Sequence, residues 1–161
     1  MLKTQVSSSL GLVRNKHLMK GEFMNTILNM TNLRNYLISF GVFLVIDMIW
    51  LLFISKSLYS KYLGYLMTSK VNFIAALIFY MLFVVGLLVF VIQPALLKES
   101  ASSALMLGML FGLVCYATYD LTNLATVKDW PVLITIIDLL WGAFVSGSTA
   151  LISYTLIRML L

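Results

Sequence analysis

Four long apolar runs constrain the fold of this chain more than any other feature of its sequence. They cover roughly residues 35–55, 71–92, 101–125 and 132–157. A helix needs about 20 apolar residues to cross the roughly 30 Å hydrocarbon core of a bilayer, and each run is long enough. Isolated strands leave backbone groups unsatisfied in lipid, and the alternating pattern of a membrane barrel is absent. The sequence therefore predicts an all-α integral membrane bundle of four transmembrane helices.

The composition excludes a water-soluble domain of this length. Of the 161 residues, 61% are hydrophobic and 11% are charged, whereas soluble domains are about 45–50% apolar and about 25% charged. The net charge of +5 would suggest nucleic acid as a partner in a soluble protein. Here lipid headgroups and topology selection explain the basic residues, so we expect membrane lipids and no nucleic acid as partners.

The connections between the apolar runs carry interfacial residues. Residues 55–70 contain lysines among tyrosines and leucines, and this mixture predicts a short amphipathic interfacial segment after the first span. Pro94 is a natural stop for the second helix, and Trp130 with Pro131 anchors and starts the fourth. We expect one transmembrane domain over residues 24–161.

Residues 1–23 form a polar, basic leader without the apolar core of a signal peptide. One hypothesis is that the leader comes from an upstream start site. Lys20-Gly21-Glu22 can be encoded by AAAGGAGAA, which contains a purine-rich ribosome-binding sequence, and Met24 follows at a suitable distance. The alternative is an ordinary disordered basic tail.

The leader also determines the predicted orientation. Both termini are expected in the cytoplasm because most basic residues lie on their side of the membrane: Lys3, Arg14, Lys16, Lys20, Arg34, Lys98 and Arg158, against Lys56, Lys61, Lys70 and Lys128. Without the leader, only Arg34, Lys98 and Arg158 remain on that side, and the bias vanishes.

Three aspartates inside the spans are the strongest functional candidates. Asp47 lies about 18 Å into the first span and Asp138 about 10 Å into the fourth, at about 1.5 Å per residue. Asp120 lies near the end of the third span. A central Asp costs about 2.5–3.5 kcal/mol on insertion scales, and such residues usually face the bundle interior or water. Alternating topology puts all three in the same half of the bilayer.

Small residues at every fourth position predict how the third and fourth spans pack. One stripe contains Ala104, Gly108, Gly112, Tyr116 and Asp120, and the other contains Asp138, Gly142, Ser146 and Ala150. Small residues at this spacing let helix backbones approach closely. We expect the stripes to pack face to face and antiparallel, with Asp120 and Asp138 at the same end.

The first and fourth spans share a short stretch of similar sequence. Asp47 precedes Trp50 by three residues, as Asp138 precedes Trp141, so each pair shares a helix face. A genuine inverted repeat would be typical of transporters. The match does not extend further, and we favour coincidence in an apolar background.

The leading functional hypothesis is a buried polar site near one membrane face that binds or transports a small solute or a proton. Two nearby carboxylates do not both ionise readily in low dielectric, so such a pair can carry a proton. The candidate residues are Asp47, Asp120, Asp138, Tyr116, Tyr119, Asn123, Trp50 and Trp141. Because four spans enclose little volume alone, the expected protein partner is a second copy of the chain in a homo-oligomer, such as a homodimer, or another membrane protein. One alternative is a scaffold in which these groups only fix helix register, and another is a lipid enzyme that uses an Asp as acid or base.

Other chemistries lack the residues they require. His17, the only histidine, lies in the leader, which argues against a histidine metal site and Ser-His catalysis. The single Cys115 cannot form an internal disulfide. Glycine-rich phosphate loops are missing from the sequence. We expect no cofactor, no metal and no catalytic residue set.

The chain resembles a family of small bacterial membrane proteins of unknown function. The resemblance is most specific over residues 116–125, with the motif Tyr119-Asp120-Leu121-Thr122-Asn123, and continues at Trp130-Pro131 and residues 138–142. Residues 47–51, Phe79-Tyr80 and Pro94-Ala95 fit the same pattern, from roughly Tyr36 to the carboxyl end. The resemblance implies a four-span protein of the bacterial cytoplasmic membrane, and it implies no activity.

If the leader is an upstream extension, the native protein begins at Met24. N-terminal sequencing of protein purified from its natural membrane measures this directly. A product that begins at Met1 would rule out the start-site hypothesis and leave the basic tail.

Overall fold

Four long helices form the part of the chain that the structure, a computed structural model, describes, which is residues 30–68 and 70–161. They are α1 (Met30–Leu63), α2 (Phe73–Leu97), α3 (Ala101–Thr126) and α4 (Val132–Met159). Each is long and apolar enough to cross a membrane, which confirms the predicted four-helix membrane fold. Residues Asn35–Leu161 form one compact unit. The leader, His17 and Met24 lie outside the described residues.

Helix α1 runs further than the apolar pattern predicts. Its first segment, Met30–Trp50, continues through a turn of π-helix, Leu51–Ser55, into the segment Lys56–Leu63. The predicted amphipathic segment is therefore helical, but it is the end of α1 and not a separate element. Its Tyr59 contacts the bundle, as described below.

Pro94 does not end α2, which was the expectation from sequence. A turn of π-helix, Leu88–Ile92, immediately precedes the final segment Gln93–Leu97. Proline removes a backbone donor and crowds the preceding turn, and the wider π-turn accommodates this. The chain turns after Leu97 with Glu99 at a positive φ of 50°. The Ser100 side chain then caps α3 by accepting a hydrogen bond from the Ser103 amide.

Helices α3 and α4 pack antiparallel along the predicted stripes of small residues. A Cβ built on Gly108 would lie 2.8 Å from the carbonyl oxygen of Ser146 and 2.9 Å from the Cα of Gly147. A Cβ on Gly112 would overlap the carbonyl oxygen of Gly142. Ala104 and Ala150 are fully buried on the same faces. The predicted face-to-face packing is confirmed.

Aromatic and aliphatic side chains hold α1 and α2 against this pair. Phe43 of α1 packs with Phe83 and Val84 of α2 and with Val145 of α4. A second cluster joins the later part of α2, from Leu87 to Ala95, with α3 and α4. The outward faces carry exposed apolar side chains on all four helices, which suits contact with lipid.

Substitution of Gly112 tests the close approach of α3 and α4. We expect Gly112→Ala to lower the free energy of unfolding by about 1–3 kcal/mol, because the added methyl group forces the backbones apart. Gly41→Ala is the matched control, since a Cβ there has nothing within 4 Å. The control should cost nothing, because Ala is favoured over Gly inside helices by about 0.5–1 kcal/mol. Unfolding in mild detergent, followed by circular dichroism, measures both, and equal stability would contradict the packing.

Candidate functional site

A partly open cavity of about 190 Å³ lies between the four helices. Tyr80 is about 10 Å from the start of α2 and Tyr116 about 15 Å from the end of α3, at about 1.5 Å per residue. The cavity is therefore nearer the α1–α2 and α3–α4 connections than the opposite end. All four helices contribute to its wall, with Asp47, Trp50, Leu51 and Tyr59 from α1, Ala76, Phe79 and Tyr80 from α2, Tyr116 from α3, and Trp141 from α4.

Asp47 is the carboxylate in the cavity wall. It belongs to a row of buried residues on the inward face of α1, with Ser39, Phe43 and Trp50, so helical periodicity alone turns it into the bundle. Its side chain is only 4% exposed. The Tyr80 hydroxyl of α2 donates a hydrogen bond of 2.7 Å to its Oδ2. A short O–H···O bond of this kind orients the carboxylate and satisfies one of its oxygens.

Asp138 lies behind the cavity wall and is held by a second tyrosine. The Tyr59 hydroxyl, from the segment after the π-turn of α1, donates to Asp138 Oδ1 at 2.6 Å. Asp138 is 6% exposed. Because the ring of Tyr59 lines the cavity, this hydrogen bond connects the cavity wall to the carboxylate behind it.

Asp120 is the most deeply buried of the three carboxylates. It is 1% exposed, and its Oδ1 makes no hydrogen bond with the described residues. It interacts electrostatically with Asp138, as the antiparallel packing of α3 and α4 predicts. The three aspartates thus share one end of the bundle, but only Asp47 faces the cavity directly.

Two tryptophans stack at the centre of the site. The rings of Trp50 and Trp141 lie 4.4 Å apart at their centroids, with 10° between their planes. The Trp141 indole N–H is buried, lies beside Asp47 and Tyr116, and forms no well-aligned hydrogen bond within the described chain. The two Asp-Trp pairs seen in the sequence therefore meet across α1 and α4.

Residues 32–155 match the family described as Predicted membrane protein (DUF2177). The chain belongs to this family. The match contains every residue that lines the cavity. The DUF2177 description names a membrane protein and no activity, which agrees with the expected resemblance. Neither a curated protein nor a solved structure matches the chain.

The structure separates the predicted site residues of this DUF2177 protein into two groups. Asp47, Trp50, Tyr116 and Trp141 line the cavity, and Asp138 is connected to it through Tyr59. The others do not line it. Tyr119 is 62% exposed and packs edge-on against Trp130 at 5.7 Å, and Asn123 is partly buried closer to the end of α3.

Tyr59 and Tyr80 are the site residues that sequence reasoning missed. The sequence could have identified Tyr80 as a hydrogen-bond donor to a buried carboxylate. It carries the only hydroxyl between Phe73 and Ile92, and a buried carboxylate needs a donor. No sequence feature marked Tyr59 as a site residue, since its lysine-rich surroundings are those of an interfacial segment.

The site offers oxygen atoms and aromatic faces for chemistry. Within residues 30–68 and 70–161, no group of three or more His, Cys, Asp or Glu side chains is placed to hold a metal ion. The donors present are carboxylates, phenol hydroxyls and an indole N–H, which bind and orient small polar molecules.

Removal of the two tyrosine hydroxyls tests the hydrogen bonds to the carboxylates. Polar contacts between membrane helices average about 0.6 kcal/mol and reach about 1.7 kcal/mol, so Tyr80→Phe and Tyr59→Phe should each destabilise the protein by an amount in this range. Tyr119→Phe, at an exposed ring, should change stability by less than about 0.5 kcal/mol. Unfolding in mild detergent compares the three variants. If Tyr80→Phe matched Tyr119→Phe, the Tyr80–Asp47 bond would not hold α2 against α1.

Proposed function

We propose that this protein binds a small solute in the cavity between its four helices. The observation that carries the proposal is a partly open cavity, lined by all four helices, whose wall includes the buried carboxylate of Asp47. A largely apolar pocket with a few convergent polar groups is the feature that most often binds a small molecule in a protein. An ionisable residue inside a membrane span usually has a functional role.

The size of the cavity limits the solute. At about 30 Å³ for each water molecule, a volume of about 190 Å³ corresponds to about six waters. The solute is therefore a molecule of a few heavy atoms.

The depth of the site supports a role in moving this solute. The lining residues Tyr80, Tyr116 and Trp141 lie about 10–15 Å from the near ends of α2, α3 and α4, at about 1.5 Å per residue. Substrate sites of membrane transporters lie at comparable depth, near the bilayer midplane. The Oδ1 of Asp120 lies beside Asp138 and has no hydrogen-bond partner among residues 30–68 and 70–161, which supports proton carriage as part of the same function.

A structural role is the second candidate, and one observation favours it. The Tyr80–Asp47 bond joins α1 to α2, and the Tyr59–Asp138 bond joins the end of α1 to α4. Carboxylates that tie helices together would make the protein a scaffold or interaction partner, as the alternative from sequence holds.

We also propose a location and an assembly. The family resemblance supports the bacterial cytoplasmic membrane, and the basic leader supports both termini on the cytoplasmic side. The cavity, which is nearer the α1–α2 and α3–α4 connections, then lies in the outer half of the bilayer. Lipids cover the outer faces, and a homodimer or a second membrane protein supplies any further walls.

Filling the cavity tests the proposed function. Ala76 lines the cavity, so Ala76→Trp should abolish solute binding while the bundle still folds. Ala75→Trp is the matched control, because Ala75 is exposed on α2 and does not line the cavity. A panel of small cationic, anionic, zwitterionic and neutral solutes is screened by thermal unfolding in detergent. A bound solute at about 100 times its Kd stabilises by about 2.7 kcal/mol, and we expect this in the wild type and Ala75→Trp only.

Two outcomes would contradict the proposal. One is stabilisation that survives in Ala76→Trp, since the solute would then bind elsewhere. The other is a wild type that no solute stabilises, together with an Asp47→Asn variant that is strongly destabilised. That pair of results would support the scaffold, because residues kept for function usually cost stability rather than provide it.

A further inference from the structure

The walls of the cavity are mainly aromatic. Six of the nine lining residues carry an aromatic ring: Trp50, Tyr59, Phe79, Tyr80, Tyr116 and Trp141. The faces of such rings are negative, and they attract cations within about 6 Å of the ring centre. Recognition of quaternary ammonium groups by clustered aromatic rings is the best-known use of this attraction.

The charge around the cavity has one sign. Asp47 lies in the wall, and Asp138 and Asp120 lie behind it. Among the described residues, no lysine or arginine lines the cavity. Arg158 instead pairs with Glu99 at 3.0 Å, and both residues belong to the opposite end of the bundle. Buried carboxylates without a basic partner need protons or a bound cation.

Chemistry favours an organic cation over a metal ion. Hard metal ions such as Ca²⁺ take about 6–8 oxygen ligands, whereas the described residues include no cluster of three acidic or other metal-ligating side chains. Aromatic faces supply no oxygen, but they accept alkyl groups and positive charge together. Trp50 and Trp141 both line the cavity, and their mutual stacking holds the two rings in place.

We propose that the solute is a small organic cation with an alkylated ammonium group. Its charge lies against the Asp47 carboxylate, which the Tyr80 hydroxyl orients, and its alkyl groups pack against the aromatic rings of the cavity wall. This inference rests on the proposed function, because it names the solute class of the same cavity.

Choline and its neutral isostere provide the decisive comparison. In 3,3-dimethyl-1-butanol, carbon replaces the ammonium nitrogen, so the shape is kept and the charge is lost. Intrinsic tryptophan fluorescence of the whole protein in detergent measures binding, since Trp50 and Trp141 line the cavity. We expect choline and tetramethylammonium to give saturable changes. The neutral isostere should bind about 5- to 30-fold more weakly, since cation–aromatic attraction is worth about 1–2 kcal/mol and about 1.4 kcal/mol is a factor of ten.

Variants that remove one carboxylate test whether choline binds at Asp47. Asp47→Asn should weaken choline binding at least about tenfold. Asp129→Asn, at an exposed aspartate in the α3–α4 connection, is the matched control and should leave choline binding unchanged. The wild-type comparison of choline with its isostere needs no variant, so the inference stays testable even if Asp47→Asn fails to fold.

Each adverse result has a distinct meaning. Equal binding of choline and the isostere would overturn the cationic class and leave solute binding intact. An Asp47-dependent change with sodium or potassium alone would assign an inorganic cation instead. Absence of any change with choline and tetramethylammonium would overturn the inference, and the Ala76→Trp experiment with the full panel would then decide whether the cavity binds another solute.

Discussion

The close approach of α3 and α4 determines where the polar residues of this bundle lie. Gly112 meets Gly142 backbone to backbone, and a Cβ on Gly142 would overlap the ring of Tyr116. The absence of side chains at these glycines fixes the register of the two helices, which places Asp120 beside Asp138. It also presents Tyr116 and Trp141 together toward α1 and α2. The cavity forms because those two helices cannot approach the bulky aromatic surface as closely.

The π-turn of α1 is the second feature on which the site depends. Asp47 precedes the turn at Leu51–Ser55 and Tyr59 follows it, yet both line one cavity. Their spacing corresponds to about 18 Å along a straight helix, at about 1.5 Å per residue. A π-bulge is one of the few features that bend a helix, and such turns often lie at functional sites. The long α1 thus contributes to the site from both sides of its irregular turn.

Sequence patterns predicted the elements and faces of this fold but not all of its tertiary partners. The length of the apolar runs predicted the four spans, and small residues at every fourth position predicted the packing interface between α3 and α4. Tyr119 was a poor candidate on the same reasoning, because neighbouring positions differ by about 100° around a helix and Asp120 points inward. Tyr59 was not predictable, since its hydrogen bond to Asp138 spans 79 positions and its local composition suits a headgroup segment. Likewise, no local pattern shows that a π-turn lets α2 continue past Pro94.

The energies of the buried carboxylates favour a ligand over a purely structural role. A central Asp costs about 2.5–3.5 kcal/mol to insert, and an interhelical hydrogen bond such as Tyr80–Asp47 returns about 0.6–1.7 kcal/mol. The insertion cost therefore exceeds the gain from the hydrogen bond. The difference is larger for Asp120, whose Oδ1 has no hydrogen-bond partner among the described residues. Asn at these positions would accept the same hydroxyl hydrogen bonds without bringing a charge into the membrane. This balance supports the proposed function, because a cation held by Asp47 would offset the cost that the Tyr80 hydrogen bond leaves.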